Sequence, residues 1–190
     1  MKITQIVGTK KLGHVMLDLE TMGNKSNSAI ISIGAVEFDI ETGETGDTFY
    51  AGVDLQSCLD MGLIVNGSTL MWWMEQNETA RKKVAEGGDH ISTVLGIFND
   101  WFKHLGEGVQ IWGNGARFDI GIMEDAYVKC ALPIPWEFRY ERDLRTLVSF
   151  APEIKLKATK EFKGVENDPI DDCKLQIDYA SKIWNKIKIR

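Results

Sequence analysis

The chain has 190 residues, 44% of them hydrophobic and 26% charged, which is enough apolar material for one substantial core. Its 22 Lys and Arg against 28 Asp and Glu leave a net charge of -6, which excludes a protein that holds nucleic acid by bulk positive charge. An enzyme whose bound metal ions supply positive charge locally is not excluded.

Three scattered cysteines, Cys58, Cys130 and Cys173, with no CxxC and only three histidines, suggest neither a disulfide framework nor a zinc site. Reduced thiols and a cytoplasmic setting fit best. No apolar signal region opens the chain, and no run reaches the about 18 apolar residues that a membrane span requires. The expectation is a single domain over residues 1–190 with no membrane contact.

Residues 1–12 carry no clear period. From His14 an apolar run predicts a buried strand, which then meets two acids, Asp18 and Glu20. In a strand, residues two apart share a face. The two carboxylates therefore stand side by side and repel unless a cation neutralises them or water solvates them. A hard divalent ion held by oxygen ligands is one reading. A strand edge whose acids face water is the other.

A turn over residues 23–27 leads to a second strand, 29–38, and a hairpin loop at 41–44 leads to a third, 48–53. Together these predict an antiparallel meander. Capping-type residues at Ser68 and Thr69 start helical sequence that continues from Asn77 to Val84. Asp89 can cap a helix with Ile91, Leu95, Phe98, Phe102 and Leu105 on one face. A short strand at 109–112 runs into Gly113-Asn114-Gly115, and a helix is predicted over 118–130. Residues 138–140 read as a further strand, 143–150 as a helix or turn, and the Lys-rich 152–169 as a mobile loop. A last helix from about Asp171 aligns Cys173, Ile177, Ala180, Trp184 and Ile187. The alternation of helices and strands after a meander predicts an α/β or α+β domain on a mixed sheet.

Two further acids stand in suggestive places. Asp119 follows the Gly-Asn-Gly turn, and Asp172 lies near the start of the last helix. Each fits a plain helix-start acid that complements the helix dipole, and each also fits a carboxylate that converges on a metal site.

Taken in order, Asp18-Leu19-Glu20-Thr21, then Asn114-Gly115-Ala116-Arg117-Phe118-Asp119, then Asp168-Pro169-Ile170-Asp171-Asp172 resemble the motifs of the DEDD superfamily of 3'–5' exonucleases. The closest likeness is to the branch that includes phage exonuclease A and a mycobacterial exoribonuclease. Trp72-Trp73, Trp112-Gly113-Asn114-Gly115 and Arg142-Asp143-Leu144-Arg145-Thr146-Leu147 extend it over about residues 13–187. The resemblance implies a ribonuclease H-like α/β fold, a mixed five-stranded sheet flanked by helices. It also implies two Mg²⁺ or Mn²⁺ ions held by Asp18, Glu20, Asp119 and Asp172. The substrate would be the 3' end of single-stranded DNA or RNA, cleaved to 5'-mononucleotides. The backbone around Thr21 and Met22 would receive the terminal nucleotide, with Met22 as an apolar contact and Asn114 beside the site; Phe118 fits the core, although its family counterpart lies beside the site. Many such relatives are dimers, so a homodimer is compatible, and the setting would be a bacterium or an infected host cell.

One position departs from the pattern. The family places a His five residues before the last acid, or a Tyr four before it, and here those positions hold Asn167 and Asp168. An amide has no titration that would let it act as a general base. Three explanations stand: an inactivated site, Asp168 as base, or metal-assisted turnover without a side-chain base. Two rivals to the exonuclease reading follow. One is a non-catalytic nucleic-acid or protein binding module on a degenerate nuclease fold. The other is a phosphoesterase for a small nucleotide, which a narrow closed pocket would favour.

Overall fold

The computed structural model describes residues 11–165 and 167–188. The unassigned leader, apart from Lys11 and Leu12, lies outside the described residues. Five strands form one sheet: β1 (His14–Thr21), β2 (Ile30–Phe38), β3 (Thr45–Gly52), β4 (Gln110–Gly113) and β5 (Glu141–Asp143). The sheet order is β3-β2-β1-β4-β5, with the first three strands antiparallel as the meander predicts and β4 and β5 parallel to β1. β1 is therefore the central strand and pairs with different polarity on its two sides.

Alternation along β1 divides the core into two. Val15, Leu17 and Leu19 face one apolar layer with α4 (Ile91–His104) and α5 (Ala116–Lys129). Met16 faces the other, against α6 (Leu144–Ser149), α7 (Pro152–Glu161) and α8 (Pro169–Lys188). By the same alternation Asp18 and Glu20 point toward the α8 side. Every residue of β2 is buried, as expected of a strand covered on both faces.

The last helix packs as its spacing predicts, with Cys173, Ile177 and Ala180 fully buried and Trp184 and Ile187 against the same core. The helical sequence around the tryptophans is two helices, α2 (Gly67–Glu75) and α3 (Glu78–Glu86), because Asn77 caps a new start. A short α1 (Leu55–Asp60), capped by Asp54, was not predicted; its one apolar turn is too short for a period.

Three expectations fail. Residues 152–161 form α7 rather than a mobile loop: Pro152 opens the helix and Ala158 is its buried contact. Residues 138–140 form a 3-10 turn, and the strand is Glu141–Asp143, one step later. The cap of α4 is His90, whose side chain accepts from the Ser92 N–H, not Asp89. Among the described residues no helix is long and apolar enough to cross a membrane.

Candidate active site

β4 ends at Gly113, opposite Leu17, so the C-terminal end of β1 projects past its parallel neighbour. The buried Leu19 N–H, which β4 does not pair, donates to Asp119 Oδ1 at 3.3 Å, from the first turn of α5. Pairing with β2 slips between Glu20 and Thr21, directly after the acids. Such irregularities re-aim side chains at the end of a strand. This is the carboxyl end of parallel strands at a change of strand order, where open α/β sheets place their sites.

The fourth acid arrives on α8. Gly34 pairs with Asp18 across β1 and β2. A Cβ at Gly34 would lie 2.6 Å from Pro169 Cβ and 2.9 Å from its carbonyl carbon, so the start of α8 rests directly on the sheet there. Cys173 Sγ seals the contact by donating to the Met16 carbonyl at 3.3 Å. One residue earlier, Asp172 faces β1: ligand oxygens of Asp18, Glu20 and Asp172 lie within 4.8 Å of one another. The structure therefore favours convergent acids over a solvated strand edge.

Burial, followed by the charges of Asp119, Glu20 and Asp172, holds the Asp18 carboxyl well above its ordinary range. Burial and the Asp172 charge push Glu20 up to about 8, against the attraction of Lys83. Burial raises Asp119 to about 7, against the opposing pull of the Leu19 and Asn114 N–H groups and Arg145. Asp119 Oδ2 is buried without a hydrogen-bond partner, as are Asn114 Oδ1 and Gln176 Oε1. Crowded, desolvated carboxylates with an unpartnered oxygen fit a hard divalent cation.

Gln176 escaped the sequence reading. It is 4% exposed and its Nε2 donates to Asp18 Oδ1 at 2.7 Å. Its signal was available: Gln176 lies one helical turn after Asp172 and so shares its face. Lys83 also escaped, with no signal, because a pair 85 residues apart leaves no local trace. Its Nζ lies 2.7 Å from Asp168 Oδ2.

Two residues expected to receive the terminal nucleotide are engaged internally. Met22 is 2% exposed in the core, its N–H donating to the Ala29 carbonyl and its carbonyl accepting from the Asn66 N–H. The Thr21 hydroxyl donates to the Gly23 carbonyl at 2.7 Å, and its own carbonyl accepts from Trp73 Nε1 at 2.9 Å. The buried Trp73 is thus the core member of the tryptophan pair, and Trp72 is exposed. Phe118 is half-buried against the core while lining an open cleft.

Asn167 lines a narrow crevice with Glu20 and Lys83. Its φ of 59° lies in the left-handed region, which Asn tolerates. Asp168 accepts from the Ile170 and Asp171 N–H groups, capping α8. Burial alone would raise its carboxyl, but the Lys83 hydrogen bond and these N–H groups hold it below its ordinary range. The histidines are elsewhere: His14 opens β1 and accepts from Trp112 Nε1, while His90 and His104 bound α4.

Sheet order and flanking helices together define a ribonuclease H-like fold with acids converging at its strand ends. The family model described as 3'-5' exoribonuclease Rv2179c-like domain matches residues 13–184, and the chain belongs to that family. The chain is 29% identical over 187 residues to the exodeoxyribonuclease of Enterobacteria phage T4, covering 92% of this chain and 68% of that one. Among solved structures it resembles the nuclease domain of 3'hExo, a DEDDh family member bound to rAMP, at a TM-score of 0.63 and 15% identity, covering 95% of both chains. It also resembles E. coli exonuclease I in complex with a dA16 oligonucleotide, at 0.67 and 13%, covering 92% of this chain and 42% of that one. At these identities the structural likeness establishes the fold.

Proposed function

We propose that this chain removes nucleotides from the 3' end of single-stranded nucleic acid by hydrolysis, with turnover limited by Asn167. Asp18, Glu20, Asp119 and Asp172 hold the divalent ions, Mg²⁺ or Mn²⁺. The observation that carries the reading is the meeting of three carboxylates within 4.8 Å beside the unpartnered oxygen of Asp119. Four ionised acids carry four negative charges, which two divalent ions balance and one does not. Bound there, such ions polarise the scissile phosphate and ease deprotonation of the attacking water.

The protein's own groups fix the acids for that task. Gln176 orients Asp18, the Leu19 N–H orients Asp119, and the Gly34–Pro169 contact sets Asp172 over the strand. Asn167 stands beside Glu20, where a base is expected, and can hydrogen-bond the water without accepting its proton. Loss of a general base costs on the order of 10²–10⁴ in rate. Asp168 is a poor substitute because Lys83 and the helix cap stabilise its ionised form.

The cleft beside Phe118 is open, which supports a polymer end over a small nucleotide in a closed pocket. Asn167 favours one second reading, a binding module that keeps the ion site without turnover. The deciding experiment follows end-labelled single-stranded DNA and RNA, with Mn²⁺ or EDTA, for the natural chain and Asn167→His. Histidine is tolerated in the left-handed region, so the substitution tests the side chain rather than the backbone. Metal-dependent shortening from the 3' end, raised roughly tenfold or more by the histidine, is the expected result. No shortening by either form, with metal binding intact in calorimetry, would establish the binding module. Contacts to the 2'-OH decide between RNA and DNA, so both substrates are compared.

A further inference from the structure

A cleft of about 760 Å³ opens at the start of α5, lined by the side chains of Asn24, Lys25, Ser26, Arg117, Phe118 and Arg145. Three of its six side chains are cations, none is an acid, and none of the three forms an ion pair among the described residues. In a chain of net charge -6 this is a local reversal of sign. The other large cavity, about 740 Å³, mixes Lys11 and Lys103 with Glu107 and Glu137. The groove along α8 mixes Lys174 and Lys182 with Asp178. Of these three, the first cleft alone presents positive charge without an acid, and clefts lined by one sign of charge focus their potential on a ligand of the other.

Two short pieces of chain tie the cleft to the acids, and the Arg145 charge acts on Asp119. Phe118 lines it while the next residue, Asp119, reaches Leu19. Lys25 and Ser26 follow β1 by a few residues. Arg145 crosses from α6 to Gly115: a Cβ there would lie 3.1 Å from Nε and 3.2 Å from Cζ, so the guanidinium packs closely on the start of α5. At φ 101° that position also suits glycine's backbone.

We infer that this cleft is the track for the 5'-ward part of the strand: Lys25, Arg117 and Arg145 take successive phosphates and Phe118 offers its ring to a base. The inference rests on the exonuclease reading and adds a polarity to it. The terminal phosphodiester lies at the acids, where positive charge comes from bound ions, and the preceding phosphates lie where the protein supplies the charge. A single aromatic with cations along the backbone is the makeup of sequence-tolerant single-strand binding. Affinity then grows with length over the first few nucleotides and falls with salt.

The test measures fluorescence anisotropy of a 5'-labelled thymidylate 12-mer and the corresponding dinucleotide, in Ca²⁺ across a salt series. The variant is Lys25→Gln with Arg117→Gln, both at exposed positions. A control, Lys11→Gln with Lys103→Gln, makes the same change in net charge at the opposite end of β1. The cleft variant is expected to lose on the order of tenfold or more in 12-mer affinity at low salt. Its dependence of log K on log salt becomes shallower by about 1.4, from about 0.7 per cation for single strands. The dinucleotide changes little and the control matches the natural chain. Equal losses in variant and control, or an unchanged salt slope in the variant, overturn the cleft. If the natural chain still shortens a 12-mer from its 3' end, the exonuclease reading survives that result. If it neither binds nor shortens the 12-mer, both fall together.

Discussion

Glu20→Gln tests whether the acids are held together at a cost that only cations relieve. In the folded chain, burial and Asp172 move the Glu20 carboxyl from 4.5 to about 8. A change of that size opposes ionisation by on the order of 4 kcal/mol. The folded state therefore binds more protons than the unfolded one between those pH values, and stability falls as pH rises through the window. In EDTA the variant lacks this penalty. It should match the natural chain near pH 4 and exceed it at pH 8, by on the order of 10 °C in Tm for a domain of this size. Mn²⁺ should reverse the order of benefit. At a hundredfold excess over its Kd an ion stabilises by about 2.7 kcal/mol, and the variant, lacking a ligand, should gain much less. Thermal denaturation across pH, with and without Mn²⁺, reads both halves. A variant no more stable than the natural chain at pH 8 in EDTA would refute the uncompensated charge. Equal Mn²⁺ stabilisation of the two would refute the ion site.

Gln176→Leu removes the amide that holds Asp18 Oδ1 and should lower Mn²⁺ affinity in calorimetry by about 10- to 100-fold, with Gln176→Glu no rescue because it adds a fifth carboxylate. Gly34→Val puts side-chain atoms into Pro169, displaces the start of α8 and with it Asp172; loss of Mn²⁺ stabilisation out of proportion to any change in the metal-free Tm is the expected result.

Periodicity and turn chemistry made the central elements legible: the meander, the apolar face of α4 and the buried face of α8 all follow from local pattern. The elements that were missed had little pattern to offer. α7 buries only Ala158 fully, so its lysines dominate the sequence, and α1 is six residues long. β5 is three residues at a sheet edge, too short to alternate. At the site, the four acids stood out through the ordered motifs that resemble the exonuclease superfamily, since singly each also fits a solvated strand edge or a plain helix-start acid. Gln176 and Lys83 did not, since an amide or a lysine on a helix is ordinary until tertiary structure shows what it faces. Thr21 and Met22 show contacts that local sequence does not reveal. They adjoin the acids in sequence, but the chain turns inward after Glu20, and α2 covers them through the Trp73 indole and the Asn66 N–H.

Asn167 and Asp172 have separate anchors, so the proposed loss of turnover at Asn167 should leave the proposed ion site in place. Asp172 is set by the contact of Pro169 with Gly34 and by the buried Cys173 beneath it. Asn167 is set by its left-handed backbone and by the neighbouring Asp168, which Lys83 ties to α3. The two sets share Asp168 as the cap of α8 but otherwise draw on different elements. A change of side chain at 167 should therefore leave the carboxylates in place, and Mn²⁺ affinity in calorimetry should stay unchanged. A change at Lys83 or Asp168 should do more, because it loosens the cap and the loop together. On the proposed function, ion affinity and hydrolytic rate should thus separate at Asn167 and change together at Asp168.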